Sequence, residues 1–353
     1  MNPENYSKRT HREHILELPD TYIGSIDTEP QSRWIYDPAI KRMVWKKIQF
    51  CPGFFKIFDE ILVNATDHYT RQQERLRKKE PNVVPVSNIR IMLSPTQISV
   101  TNDGDTISTA THPEAGCPLP EMIFGQLLTS SNYNKEEEKI VGGKNGYGAK
   151  LTNIFSKEFS VKITTPASGT MTTYTWTDNM TKMEKVKVNK VKSSTALTTI
   201  AYTPDLSRFH WSTDDTEGEV KEIPADMMDV LTTRCYDAAV CVPGCAIYLN
   251  GTQIPVMSLM CYMDLFCPLE EGLPEQVKKL TPKKRRDALI AFDSAGERWE
   301  IGAILTSTLY KDSPPDDRHL SFVNGILTRR GGKHVEYVAK QVLGDFCEKA
   351  KKK

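Results

Sequence analysis

The chain has 353 residues, 39% of them hydrophobic and 26% charged, and 46 Lys and Arg against 45 Asp and Glu leave a net charge of +1. That length favours two packed domains, and that composition excludes a chain disordered throughout. No run nears the roughly 18 apolar residues of a membrane span, the polar opening MNPENYSKRTHREH is no secretory signal, and the even charge confines any nucleic-acid-binding surface to a local patch. The eight cysteines form no C-x-x-C pair, so they read as reduced, buried thiols of an intracellular protein rather than zinc ligands or a disulfide framework.

In chain order, a polar arm leads to a turn-like segment at Pro19–Gly24. After Pro52-Gly53, Phe54, Phe58, Ile61, Leu62 and Ala65 recur at three- and four-residue steps, which predicts a helix running on into the charged stretch Arg71–Lys79. Short strands are predicted over Ile89–Leu93 and Gln97–Thr101, ended by Asn102-Asp103-Gly104. A segment rich in Gly, Ser and Asn follows and closes in the glycine cluster Gly142–Gly148. Alternation from 159 to 204 predicts a half-exposed sheet, and a helix is expected around Pro224–Val240. A second domain is expected to begin near Ala246 with a hairpin about Asn250-Gly251, so that the domains run 1–244 and 245–353. Trp299–Tyr310 and Leu320–Leu327 read as strands, Leu273–Arg286 as a charged surface insertion, and Val335, Val338, Val342 or Leu343, and Phe346 as one face of a last helix.

Three constellations carry chemistry. Glu60 and Asn64 stand four residues apart, hence on one helix face, where a carboxylate can orient water and an amide oxygen can ligate Mg2+ beside a polyphosphate. Lys56 stands one turn before Glu60, placed to orient it or hold it ionised. Taken alone, the spacing equally suits a solvated helix face. Asn102, at a strand end before Gly104, can meet a purine edge, although Asn-Asp-Gly is also the usual chemistry of a plain turn. Gly142 to Lys150 is a glycine loop running into the apolar residues Leu151, Ile154 and Phe155. Free amides there, with the Lys150 charge, suit a polyphosphate, against the alternative of a mobile surface loop. The loop is no Walker A motif, because Ala149 precedes Lys150 and Leu151 follows it, and no strand leads into it as a Rossmann turn requires.

In this order the three resemble the GHKL ATPases. The wording PDTYIGS (19–25), KIFDEILVN (56–64), IFGQLLTSSNY (123–133), GKNGYGAKL (143–151), WTDNM (176–180), PDLSRF (204–209), SFVN (321–324) and GGKHVEYV (331–338) resembles the ATPase region of eukaryotic-type type IIA DNA topoisomerases over nearly the whole chain. The resemblance implies a GHKL (Bergerat) α/β sandwich followed by a partial ribosomal-protein-like transducer. It implies ATP and Mg2+ as cofactors, with Glu60 polarising water, Asn64 on the metal, Asn102 at adenine and Thr198 nearby. Ser130, Ser131 and Asn132 would act from a lid, while Gly143, Lys144, Asn145, Gly146, Tyr147, Gly148, Ala149 and Lys150 would wrap the triphosphate. Tyr6, in an arm that otherwise reads as a loose tail, would reach the nucleotide of a second copy. Implied too are a homodimer that closes on ATP, a trapped segment of double-stranded DNA, and action in a nucleus, cellular or viral-host.

Two departures stand out. Thr106 occupies the place of the second glycine in the family's N-x-G-x-G, and no Gln-Thr-Lys occurs before the chain stops at Lys353, so a fragment of a longer enzyme is expected. Arg329, Arg330 and Lys333 flank Gly331-Gly332 and read either as contacts to DNA phosphates or as a solvated turn. Lys283–Arg286 reads as a nuclear signal or the start of a charged surface helix. The alternative functions are another GHKL ATPase and an ATP-binding clamp with little turnover.

Overall fold

The computed structural model describes residues 9–127, 147–211, 220–267, 275–296, 299–304 and 319–351. The chain divides into two compact units, Met1–Leu265 and Phe266–Lys353.

The first unit is organised by β3 (Asn88–Leu93), β4 (Ile98–Asn102), β5 (Ser156–Thr165), β6 (Thr170–Thr177), β7 (Lys182–Met183), β8 (Lys187–Lys190), β9 (Leu197–Pro204), β10 (Ala246–Leu249) and β11 (Thr252–Gln253). Their order is β11-β10-β3-β4-β9-β5-β6-β7, with β8 also on β6, and only the β10–β3 pair is parallel. Register aligns Ile91, Val100, Ile200, Val161 and Tyr174 in one buried row across five strands. The row beside it, Arg90, Thr101, Thr199, Lys162 and Thr173, is polar and turned away from that core. This is the period-2 signature of a sheet covered on one side.

The cover is helical. α2 (Pro52–Arg77), α4 (Gly148–Ile154) and α5 (Ala225–Val240) pack on strands of this sheet, and α3 (Leu119–Gly125) joins them beside α4. The predicted apolar face of α2 is buried almost completely, and Ile57 and Tyr69 belong to it as well. Each such Phe or Ile removed from water contributes about 1.5–3 kcal/mol. Pro52 suits the first turn, where its missing N–H costs nothing.

Three elements ahead of α2 were not anticipated. Thr10 and Glu13 form a capping box that starts α1 (His11–Glu17) inside the polar arm. β1 (Glu29–Asp37) and β2 (Arg42–Phe50) form a separate antiparallel hairpin in which Trp34 faces Trp45 with ring centroids 5.3 Å apart. Tyr36 docks this hairpin on α5, its ring 3.9 Å from that of Tyr236 and its N–H donated to Thr233 Oγ1 at 2.9 Å. The hairpin at Asn250-Gly251 forms as expected, with φ of 47° and 82° at the turn, but β10 pairs with β3 and so extends the first unit's sheet. α6 (Leu259–Asp264) completes this unit.

In the second unit, the expected surface insertion is helical, as α7 (Glu275–Lys278) and α8 (Pro282–Leu289). β12 (Ile290–Ala295) pairs with β13 (Trp299–Ile304), while residues 305–310 of the expected strand lie outside the described residues. The strand expected at Leu320–Leu327 is a tight hairpin, β14 (Phe322–Val323) and β15 (Ile326–Leu327). Asn324 and Gly325 take φ of 50° and 76° and turn the chain. α9 (Lys333–Lys351) follows, with Val335 and Val338 half-buried and Val342 exposed. Cys51, Cys117, Cys235, Cys241, Cys245, Cys261 and Cys267 are unbridged, and among the described residues no helix is long and apolar enough to cross a membrane.

Candidate nucleotide site

The catalytic candidate Glu60 lies midway along α2, and the two ends of its neighbourhood are fixed by buried contacts. Asp59, one residue before it, pairs with the fully buried Arg234 of α5 at 2.7 Å, which sets the rotation of α2 about its axis. On the other side Thr152 Oγ1 of α4 donates to the Ile57 carbonyl of α2 at 2.7 Å. Between these ties Glu60 projects toward the start of α4, and Lys56 forms an ion pair with its carboxylate from one turn away.

Gly148 opens α4, and its Cα faces that carboxylate directly: a Cβ there would stand 2.6 Å from Glu60 Cδ and 3.1 Å from Glu60 Cβ. The glycine therefore answers to close approach, since a side chain there would displace the Glu60 carboxylate from its place beside α4. The acid of the first constellation and the end of the glycine loop are thus in contact, although they are far apart in sequence. The first amides of α4 have no partners within their own helix, as at any helix start. Asn64 lies one turn beyond Glu60 on α2, half-buried. Lys150 is 1% exposed, and burial pulls its ammonium down to about 8.

The strand side of the site lies on the helix-covered face. Asn102 of β4 stands directly opposite Thr198 of β9, flanked in the same row by Ile89 and Ile163. Both polar residues are buried among aliphatic neighbours, a placement that demands hydrogen-bonding partners. Asn102 Nδ2 donates to the Asp103 carbonyl at 2.8 Å, and among the described residues its Oδ1 has no partner. Asp103 accepts from the N–H groups of Ser87 and Asn88 at 2.7 and 2.8 Å and from Asn88 Nδ2 at 2.7 Å, so its carboxylate is committed to holding the chain. Gly104, at φ 98°, brings the backbone so close to Val86 that a Cβ would fall 2.8 Å from its Cγ2. The segment is a close crossing of chains and not a plain hairpin turn.

Of the remaining sequence candidates, Tyr147 precedes α4, its ring 6.0 Å from that of His11 in α1. Ala149 is buried in the first turn of α4. Tyr6, Ser130, Ser131, Asn132, Gly143, Lys144, Asn145 and Gly146 lie outside the described residues. Arg329 is half-buried, and Arg330 and Lys333 are exposed around Gly331 in the second unit. Among the described residues no group of three or more His, Cys, Asp or Glu is placed to hold a metal ion.

Sequence reading missed the supporting contacts. WTDNM and PDLSRF meet at Asn179, whose Nδ2 donates to the Ile154 carbonyl at the end of α4 at 2.9 Å and to Asp205 Oδ2 at 3.2 Å. Asp178, Asn179 and Met180 all have positive φ, so this knot is a left-handed turn held by its contacts. The only signal for it was the pair of strings themselves, with no chemistry attached.

The fold is that of a GHKL ATPase-type module of mixed α/β architecture. No protein-family model matches the chain. Among curated proteins it is 36% identical over 351 residues to DNA topoisomerase 2 of Meyerozyma guilliermondii and 36% identical over 353 residues to that of Drosophila melanogaster, each match covering 99% of this chain. It spans 23% and 22% of the length of those two relatives. Among solved structures, the ATPase region of Saccharomyces cerevisiae topoisomerase II superposes with a TM-score of 0.81 at 34% identity, covering 99% of this chain and 82% of that one. The ATPase and transducer domains of DNA topoisomerase II from Balamuthia mandrillaris give 0.78 at 36% identity, covering 97% and 77%. The chain belongs to the family of eukaryotic DNA topoisomerase II, to the part that forms its ATPase region.

Proposed function

We propose that the chain is the ATP-operated gate of a type II DNA topoisomerase, binding ATP, closing on a second copy around a DNA duplex, and reopening after hydrolysis. The observation that carries this reading is the contact of Glu60 with Gly148, which joins an acid to the end of a phosphate-binding loop. In this reading Glu60 orients and polarises the attacking water, with Lys56 holding its carboxylate in place. Asn102 turns its open Oδ1 to the adenine amino group, and Thr198, opposite in register, adds its hydroxyl. The amides from Gly143 to Ala149 and the Lys150 ammonium hold the phosphates, and Ser130, Ser131 and Asn132 contact the nucleotide from the lid.

The donor set suits Mg2+ in one respect: Asn64 offers a hard, neutral oxygen one turn from Glu60, and phosphates and water complete the shell that this ion prefers. When bound, Mg2+ neutralises charge developing on the phosphates. Residues 1–244 would form the nucleotide-binding domain with its dimerisation arm, in which Tyr6 reaches the nucleotide of the second copy, and residues 245–353 the transducer. Arg329, Arg330 and Lys333 would touch the backbone of double-stranded DNA. In this reading the protein acts on nuclear DNA, in a cell or a virus-infected host.

The test is steady-state ATP hydrolysis and nucleotide binding for Glu60→Gln and Glu60→Ala. Loss of a positioned base predicts turnover reduced by roughly 10²–10⁴ with nucleotide still bound. Residual rates equal to wild type would leave a nucleotide-binding clamp in place of an ATPase gate.

A further inference from the structure

One charged motif is left unused by the nucleotide site. Within residues 275–287 six cations, Lys278, Lys279, Lys283, Lys284, Arg285 and Arg286, face two carboxylates, Glu275 and Asp287. A chain whose net charge is only +1 thus gathers a strong local surplus on α7 and α8. The structure gives these cations different tasks. Arg285 is a brace: its guanidinium donates to the Lys278 carbonyl at 2.7 Å and to the Leu280 carbonyl at 3.4 Å, tying α8 back onto α7. Lys278 pairs with Glu275 at 2.9 Å. Lys279, Lys283 and Lys284 are exposed and have no ion-pair partner among the described residues.

Their position is electrostatically adverse. α8 begins at Pro282 with no acidic residue in its first turn, so Lys283 and Lys284 sit at the positive end of the helix dipole. Helix starts ordinarily carry Asp or Glu. Two cations there add to the field of the free amides, and a bound anion would offset that field. A braced pair of helices presenting three unpaired ammonium groups is a rigid cationic surface, and a rigid, regularly spaced polyanion is its complement.

We propose that the α7–α8 surface, through Lys279, Lys283 and Lys284, is a docking surface for the phosphate backbone of double-stranded DNA. It rests on the gate reading only for the choice of duplex DNA as polyanion. Phosphate contacts of this kind carry no sequence preference and are revealed by salt dependence.

The experiment is fluorescence anisotropy of a labelled DNA duplex titrated with the full chain over a series of salt concentrations. Wild type is compared with the triple variant Lys279→Gln, Lys283→Gln, Lys284→Gln. If each lysine neutralises one phosphate, the slope of log affinity against log salt becomes shallower by about 2–3 in the variant. Removing cations from the start of α8 leaves its thermal melting point unchanged or raised, so a lower melting point together with lost binding would count against docking. An unchanged slope and affinity overturn the proposal. Wild-type DNA binding in the triple variant, with loss of binding to a polyglutamate peptide, also overturns it and assigns the surface to an acidic protein. A separate variant, Arg330→Gln with Lys333→Gln, tests the contacts of the gate reading, so failure of either is seen independently.

Discussion

The two halves of the proposed nucleotide site are built on different principles. The helix half, Glu60 and Asn64 on α2, is a matter of spacing: residues four apart share a face wherever the helix lies. The strand half, Asn102 and Thr198, unites residues from β4 and β9 through a register that no local pattern specifies. On α2 the functional face is the one the apolar stripe leaves over. On the sheet the two polar residues stand within the apolar row itself, between Ile89 and Ile163, where burial of an unsatisfied amide is costly. A helix can carry a site beside its core, whereas in the proposed site this sheet would carry its part inside the core.

The comparison breaks first at Gly148. A methyl group there meets the Glu60 carboxylate, so Gly148→Ala is expected to abolish measurable ATP turnover and to cost about 1–3 kcal/mol of stability by overpacking, read by hydrolysis rate and urea unfolding. Retained turnover would mean that Glu60 and the loop are not functionally in contact.

Lys150 sharpens the helix half through pH. Its folded value of about 8 lies below the ordinary 10.5, so the unfolded chain binds more protons between those limits. Stability from this group therefore rises as pH climbs from about 8 toward 10.5, and Lys150→Met is expected to flatten that rise. A bound triphosphate favours the charged form, so nucleotide binding just above pH 8 should take up protons in wild type and not in the variant. Calorimetry in buffers of different ionisation enthalpy reads this directly, and equal heats after buffer correction would remove Lys150 from the phosphates.

The strand half should show smaller effects. Asn102→Ala loses one hydrogen bond to the base, about 0.5–1.5 kcal/mol, and is expected to weaken ATP binding up to roughly tenfold while leaving turnover at saturation near wild type. Thr198→Val, nearly isosteric, should weaken it by no more than about a few-fold. A reversed order of these two variants would mean that Thr198, not Asn102, makes the principal contact with the base.

Much of the architecture was legible. The stripe Phe54–Ala65 gives α2, alternation gives β3, β4 and the strands from 159 to 204, and Asn250-Gly251 gives its hairpin. The misses have physical causes. The β1–β2 hairpin escaped because its burial depends on α5, to which Tyr36 and Tyr236 attach it. The strand expected at Leu320–Leu327 ignored Asn324-Gly325, a turn signal as strong as the one read correctly at Asn250-Gly251. The sequence also left open where the hairpin at Asn250-Gly251 attaches, because a hairpin reads alike wherever it docks, and only register shows β10 beside β3.

By itself the sequence determined which residues could do chemistry: a carboxylate and an amide one helical turn apart, a glycine loop ending at a lysine, and an amide closing a strand. Those follow from local periodicity and residue type, which the chain carries wherever it folds. Tertiary structure alone decided that Glu60 meets Gly148, that Thr198 faces Asn102, and that Asp103 serves as an anchor, with its oxygens taken by Ser87 and Asn88. These are contacts between segments distant in the chain, fixed by helix packing and strand register, and neither is encoded within a single stretch of sequence.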